Sequence, residues 1–386
     1  MVLTRKKCLF IVQGEGRGHM TQSLSMKQIL QDAGIEVCEV LIGKSKHREI
    51  PSFYYQKIGA KVTPIVSPNM AQDKKGKGIK SITTLLKNIF LLPHFIKSLN
   101  TINRKIKEHN PDLIINFYEP LCGLYYLLFH PKIRMVSIAH HYMFLHSDYR
   151  MPSGKNFENY FLKFYTRLTT FGATKKLALS FYRFENDEAQ SIYVVPPLLR
   201  NEVMEQPIEN NNFILIYILN SGYMDEIIKW HIKNPETVLH CFTDKKEMAD
   251  EVKYDDTLYF HQLNDKNFLK LMSNASGVAT TAGFESVCEA MYMGKPVFMV
   301  PVKGHYEQFC NSRDAFKTSA SIYDESFNMS VFLNYIKNYK IENLSFKTWA
   351  DQSRSTIIKH IQSVMYAESN VRHLYPYKQP YKQTAQ

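Results

Sequence analysis

The sequence contains no Cys-x-x-Cys pair, and its six cysteines (Cys8, Cys38, Cys122, Cys241, Cys288 and Cys310) fall at long, irregular intervals among apolar neighbours. That excludes a zinc ribbon and argues against a disulfide framework, so buried reduced thiols are expected. No apolar stretch approaches the roughly 18–20 residues of a membrane-spanning helix, and the nearest, LCGLYYLLF, is about half that length. The apolar run CLFIV near the start is strand-length, ends at glycine and lacks a cleavage-site pattern, so the expected location is cytoplasmic. Acidic residues are in deficit: 36 Asp and Glu stand against 48 Lys and Arg, a formal charge of +12. The deficit is sharpest between Lys74 and Lys107, which hold nine Lys or Arg and no Asp or Glu. Low-complexity tracts and short internal repeats are absent as well.

What the chain does contain is alternation. CLFIV, IEVCEVLI, KVTPIV, DLIINFY and RMVSIA are strand-like runs separated by helical spacing, and NFILIYIL, TVLHCF, LYFHQL, GVATTA and PVFMVP repeat the pattern in the second half. Strands alternating with helices predict parallel βαβ units, and two such series in 386 residues predict two doubly wound α/β domains. Between them, IYVVPPLLRNEVMEQPIENNN has two prolines interrupting a strand and a polar, Asn-rich stretch, which reads as an exposed linker near residues 197–212. The expected domains are therefore 1–200 and 201–369. A long helix over about Ser345 to Ser369 precedes a poorly ordered tail at 370–386.

GEGRGHM, residues 14–20, follows the first strand and precedes a helical stretch. A Rossmann dinucleotide site needs Gly-x-Gly-x-x-Gly and an acid closing the second strand. Here the third glycine of that spacing is replaced by His19, and the second strand runs into KSKHR. The loop is not a dinucleotide cradle.

The second glycine motif is TTAGFESVCEAMYMGKPVFMVPVKGHYEQFCN, residues 280–311. A helix starting near Ser286 aims backbone N–H groups and its positive dipole end at a diphosphate, and Gly283 allows close approach. The motif resembles the donor-binding signature of inverting GT-B glycosyltransferases, among them the lipid-linked N-acetylglucosamine transferase of peptidoglycan synthesis and the UDP-glycosyltransferases. The combination with GxGxGH resembles less characterised bacterial and archaeal relatives over nearly the whole chain. The resemblance implies a GT-B fold, with an N-terminal acceptor-binding domain and a C-terminal domain that binds a nucleotide sugar. It also implies that Glu289 holds the ribose from the helix surface, with Glu307 and Gln308 near the sugar. Thr281 stands where retaining relatives carry a second Glu, which favours inversion. Ser221 and Gly222, with Asn220, occupy the place of a glycine-rich phosphate loop.

The same resemblance places His19 as the general base that takes the acceptor proton, with Gly18 against the donor. Contact with phosphate without proton exchange is the alternative for His19. Imidazole suits base catalysis because it titrates near working pH. Glu119 is a second candidate: it orients His19, binds an acceptor hydroxyl, acts as base, or caps a nearby turn. Arg17, His140 and His141 are expected on the acceptor side, with phosphate the alternative contact for Arg17, and Glu15 either acts there or is a solvated turn residue. Adjacent histidines without a third ligand at a recognisable spacing do not form a metal site, so neither metal nor cofactor is expected.

The basic stretch around Lys74–Lys107 reads first as a surface helix whose apolar stripe packs on the sheet, with Pro93 breaking a longer helix. Contact with an anionic membrane surface, and hence a lipid-linked acceptor, is the alternative. A glycan is the other acceptor class. Nucleic acid is excluded as a partner, because the basic run lacks interleaved aromatics or a recognised module. A nucleotide-sugar 2-epimerase and a non-catalytic sugar-binding protein are the competing functions on this architecture.

Overall fold

The computed structural model describes residues 5–45, 49–68, 91–153, 156–218, 221–244, 248–339 and 344–367. Seven strands form the first sheet: β1 (Lys7–Gln13), β2 (Glu36–Lys44), β3 (Val62–Val66), β4 (Leu113–Phe117), β5 (Arg134–Ala139), β6 (Lys175–Leu179) and β7 (Ile192–Val195). Their order is β3-β2-β1-β4-β5-β6-β7, all parallel. The second sheet holds β8 (Ile214–Ile218), β9 (Leu239–Thr243), β10 (Glu251–Lys253), β11 (Leu258–Gln262), β12 (Gly277–Thr280), β13 (Val297–Met299) and β14 (Ser321–Tyr323). Its order is β10-β11-β9-β8-β12-β13-β14, antiparallel only at the β10 edge.

Helices cover both faces of the first sheet, which is why the central strands read as continuous apolar runs. Met20, Met26 and Leu30 of the helix Arg17–Asp32 pack with Phe10 and Val12 on one face. Leu99 and Ile102 of the helix Leu92–His109 pack with Leu9 and Ile11 on the other. Each sheet reverses its winding between two neighbours, β1 and β4 in the first and β8 and β12 in the second. Ligand crevices open at the C-terminal ends of such strand pairs, and the GEGRGH loop, Glu119 and the GFES turn lie at those ends.

Several expectations need correction. β6, β10 and β14 escaped the sequence pattern: β6 opens with two lysines, β10 is an exposed three-residue edge, and β14 is three residues long. Pro196 and Pro197 follow β7 instead of interrupting it, and Pro196–Arg200 is buried; the exposed linker is confined to about Met204–Asn212. The expectation for Pro93 needs no correction: it lies in the first turn of Leu92–His109, where its preset φ and missing N–H are tolerated, in agreement with a break at that point. Phe95, Leu99 and Ile102 of this helix are buried while Leu92 and Ile96 are exposed, and Lys105 is buried, pairing with Glu39 at 3.1 Å and Glu108 at 2.9 Å. Residues 74–90 of the basic run lie outside the described residues.

The last helical stretch is two helices, Leu344–Ala350 and Ser353–Met365. The second packs on β5, β6 and β7, and Arg134 Nη1 donates to the Val364 carbonyl at 2.8 Å. We therefore propose a division in which this helix belongs with the first sheet, although the chain reaches it after the second. The tail 370–386 lies outside the described residues. All six cysteines are unpaired, five of them buried, and no described helix is long and apolar enough to cross a membrane.

Candidate active site

Close backbone packing shapes the GEGRGH loop. The Gly14 N–H donates to the Gly43 carbonyl at 2.7 Å, and a Cβ on Gly14 would lie 2.5 Å from Ile42 Cγ2. Glu15 is not a solvated turn residue, because its carboxylate accepts from the Ser45 N–H and ties the loop to the end of β2. The helix starts at Arg17, with Gly16 as N-cap. A Cβ on Gly18 would overlap the carboxylate of Glu285, which arrives from the second half of the chain.

His19 is half-buried in the first turn of that helix. Its ring stacks on Tyr118, centroids 5.3 Å apart, and lies 5.6 Å from the ring of His141. Its Nδ1 is 3.1 Å from Oε1 of Gln22. Burial, reinforced by the nearby His141, pulls the His19 pKa down to about 4, so the ring is neutral at physiological pH. Tyr118 completes a triangle of rings with the two histidines, 3.8 Å from the His141 ring, with a left-handed φ of 60° and its hydroxyl 2.9 Å from Thr166 Oγ1. A bulky residue held in that conformation stores strain of order 1–3 kcal/mol, as residues at ligand sites often do.

His140 and His141, although adjacent, part company. His141 Nε2 lies 3.1 Å from Glu307 Oε2, joining the two halves of the chain. Burial works against ionisation of Glu307, yet His141, with His305 and His19, holds its carboxyl well below the usual range. His140 turns away: its Nδ1–H donates to the Leu179 carbonyl at 2.7 Å and its ring stacks 4.1 Å from Phe284. The structure brings His141 to the site and places His140 behind it.

Glu119 is fully buried. Its Oε1 accepts from Ser67 Oγ at 2.5 Å and from the Leu121 N–H at 3.0 Å, capping the helix Pro120–Phe129, while Oε2 has no partner among the described residues. Burial pushes its pKa up to about 8. Among the described residues its carboxylate makes no bond to His19, and the capping role is the one the geometry displays.

In the second half, the helix begins at Phe284, two residues before the expected Ser286, with Gly283 as N-cap. The left-handed residue of this turn is Ala282, φ 63°, whose carbonyl accepts from Asn311 Nδ2 at 3.2 Å. Gly283 itself has an ordinary φ of −70°, and a Cβ there would meet only Ser286 Oγ, at 3.7 Å. Thr281 is buried beside it. Gln308 Oε1 accepts from the Val302 N–H at 2.9 Å, which spends its carbonyl on the loop before the helix Tyr306–Phe316. Ser221 and Gly222 lie in a short 3-10 turn after β8; Asn220 is outside the described residues.

Between the halves lies a cavity of about 120 Å³, whose lining includes Arg17, Arg200, Glu285, Ser286 and Glu289 and the aromatic ring of Tyr217. Arg17 shares this cavity with the donor-side residues, the phosphate side of its two expected contacts, and its Nε has no partner among the described residues. Glu289 is 3% exposed, not a surface carboxylate. Its Oε1 accepts from Arg200 Nε at 2.8 Å, and burial raises its pKa against the pull of Arg200. Glu285 is pushed up to about 7, chiefly by burial.

Arg200, Gln22, Tyr118 and Glu285 were not singled out from the sequence. Gln22 had a signal, since it follows His19 by three residues on a helix and so shares its face. Arg200 had none beyond being a lone charge after Pro-Pro-Leu-Leu. Among the described residues, Glu39, Glu108 and His109 have metal-ligand proximity, but Lys105 already sits between the two carboxylates.

Residues 6–338 match the profile of the family described as Glycosyl transferase family 1. No curated protein matches the chain in sequence. Among solved structures, the chain is similar to the glycotransferase of kitacinnamycin, at 13% identity and TM-score 0.65, with 94% of this chain and 99% of that one covered. It is also similar to Arabidopsis thaliana UGT89C1 complexed with quercetin, at 15% identity and TM-score 0.61, with 94% and 100% covered. Acinetobacter baumannii MurG is similar at 16% identity and TM-score 0.56, with 93% and 99% covered. At these identities the likeness speaks for the fold, two Rossmann-like sheets facing across a cleft in the GT-B arrangement.

Proposed function

The chain belongs to glycosyl transferase family 1, and from that premise we propose that it moves a sugar from a nucleotide-sugar donor to an acceptor hydroxyl with inversion. One observation carries the reading. A cavity lined by Arg17 and Gly18 from one half and Ser286 and Glu289 from the other lies beside a neutral histidine. Gly18 and Glu285 both line the cavity, and Glu285 is bonded to Gln22, the partner of His19 Nδ1.

In this reading the diphosphate rests against the N-terminus of the helix Phe284–Tyr292, where free N–H groups and the helix dipole favour negative charge. Arg17 adds a cation there, so the residues supply charge compensation without a metal. Glu289 accepts from the ribose hydroxyls, and the aromatic wall of Tyr217 gives the nucleoside an apolar surface. His19 takes the proton of the acceptor hydroxyl as that oxygen attacks the anomeric carbon. The bond from that carbon to the diphosphate oxygen breaks, and the nucleoside diphosphate leaves with the bonding pair. UDP is the proposed carrier, by analogy with Arabidopsis thaliana UGT89C1, solved with UDP-L-rhamnose. In this reading Glu307 and His141, paired at 3.1 Å, serve the sugar and the acceptor. The acceptor class is a glycan or a lipid-linked saccharide: the described basic helix buries Phe95, Leu99 and Ile102 but exposes Leu92 and Ile96 beside Lys97.

Thermal shift against a panel of nucleotide sugars and nucleoside diphosphates tests the reading, since a ligand that binds only the native state raises stability by mass action. Stabilisation by one nucleoside diphosphate and by its sugar conjugate is expected. If no member of the panel shifts the transition, the donor-site assignment fails.

A further inference from the structure

We propose that Gln22 and Glu285 are positioning residues that fix which nitrogen of His19 carries its proton, and that this control exists only while the two halves of the chain are in contact. The inference rests on the reading of His19 as the proton acceptor, but its central claim concerns a tautomer and is measurable without turnover.

Gln22 is 1% exposed, one helical turn beyond His19. Its Oε1 faces His19 Nδ1 at 3.1 Å, and its Nε2 bonds Oε1 of Glu285, in the first turn of the helix Phe284–Tyr292. At pH 8, above the value of about 7 to which burial pushes it, Glu285 is ionised and only accepts hydrogen bonds, so the Gln22 amide must present its NH2 group to Glu285. That orientation turns its carbonyl to His19. A carbonyl also only accepts, so the one proton of the neutral imidazole must sit on Nδ1, leaving the lone pair on Nε2. Donor and acceptor roles along the chain His19–Gln22–Glu285 are thus set from its far end, by a residue 263 positions from Gln22.

Two further features support the arrangement. A side chain at position 18 would overlap the Glu285 carboxylate, so the glycine keeps the space in which Glu285 meets Gln22. Glu285 also lines the cavity that holds Ser286 and Glu289 on the same helix. His19 and Gln22 belong to the first half of the chain and Glu285 to the second. Separating the halves releases the amide, which is then free to flip and to abandon tautomer control.

The test is long-range 1H–15N NMR of histidine-labelled protein at pH 8, with His19 assigned by its loss in His19→Ala. The native protein should show His19 protonated at Nδ1. Gln22→Leu and Glu285→Leu should each shift it towards the Nε2–H form, whereas Glu285→Gln should preserve Nδ1–H, because its amide carbonyl can replace the carboxylate as acceptor. Gln22→Leu should also lower kcat at least about tenfold with donor KM within about twofold, a smaller effect than the roughly 10⁴-fold loss seen when tautomer control fails in a serine-protease triad. Native His19 protonated at Nε2, or a tautomer unmoved in both leucine variants, overturns the proposal. The NMR result expected here, together with full turnover by His19→Ala, would instead overturn the base assignment and leave the tautomer control standing.

Discussion

Arg200 grips Glu289 from the buried segment that follows β7: its Nε lies 2.8 Å and its Nη2 2.7 Å from the same carboxylate oxygen, Oε1. Its Nη1 bonds Asp265, which also meets Lys57 at 2.9 Å. The carboxylate assigned to the ribose is therefore already one end of a buried ion network. A ribose hydroxyl must share Glu289 with Arg200 or use the oxygen that Arg200 leaves open.

Glu289→Ala should accordingly do two things. Donor affinity should fall roughly 10- to 100-fold, the scale of a lost hydrogen bond to a charged group at about 1.5–3 kcal/mol. Stability should fall as well, because the buried Arg200 keeps only Asp265. Calorimetry with the nucleoside diphosphate and urea unfolding measure the two separately. Unchanged affinity in a folded variant would remove Glu289 from the site.

His19→Ala should lower turnover by roughly 10²–10⁴-fold while donor affinity stays near wild type, since a base acts in the transition state. Parallel loss of affinity and turnover would assign His19 to phosphate contact instead.

The His19 ring should titrate near 4 when its carbon-bound protons are followed by NMR. The sign of the linked stability follows. Between about 4 and the ordinary histidine value of 6.5 the unfolded chain binds more protons than the native protein, so stability contributed by this site falls as pH drops through that window. A ring titrating at 6.5 would show that burial and His141 do not hold it neutral.

Glu119 gives the opposite slope. Its native pKa of about 8 lies above the ordinary 4.5, so its contribution is complete below 4.5 and is lost as pH rises through 8. The effect comes from burial, opposed by Ser67 and the Leu121 N–H and reinforced by the charge of Glu15. Glu119→Gln should flatten the decline in Tm above about pH 6. Parallel Tm–pH curves for the two proteins would mean that the site accommodates the ionised carboxylate.

Lipid binding can be tested on the described helix. Lys97, Arg104 and Lys107 are exposed, and of the apolar residues beside them Leu92 and Ile96 are exposed while Phe95, Leu99 and Ile102 are buried. Changing all three to Gln should leave flotation with phosphatidylglycerol liposomes at physiological salt unchanged. Salt-sensitive flotation abolished by these changes would restore the membrane-surface reading.

The sequence by itself determined the class of fold and the location of the crevice. Strand period, helical spacing and the two glycine motifs are local, and parallel βαβ winding then places the ends of β1, β4, β8 and β12 at the mouths of the sheets. Gly18, Ser286 and Glu289 could be assigned to one crevice for that reason, and all three line its cavity. Only the tertiary structure decided what surrounds them. Glu289 looked like a surface carboxylate because helical spacing cannot reveal that Arg200 folds over it from the buried segment after β7. Glu119 looked like a partner of His19 because both follow central strands, but its carboxylate turns to Ser67 and Leu121. The bond from Gln22 to Glu285 spans 263 residues, and no local pattern encodes a contact whose existence depends on how two independently wound sheets come to rest against each other.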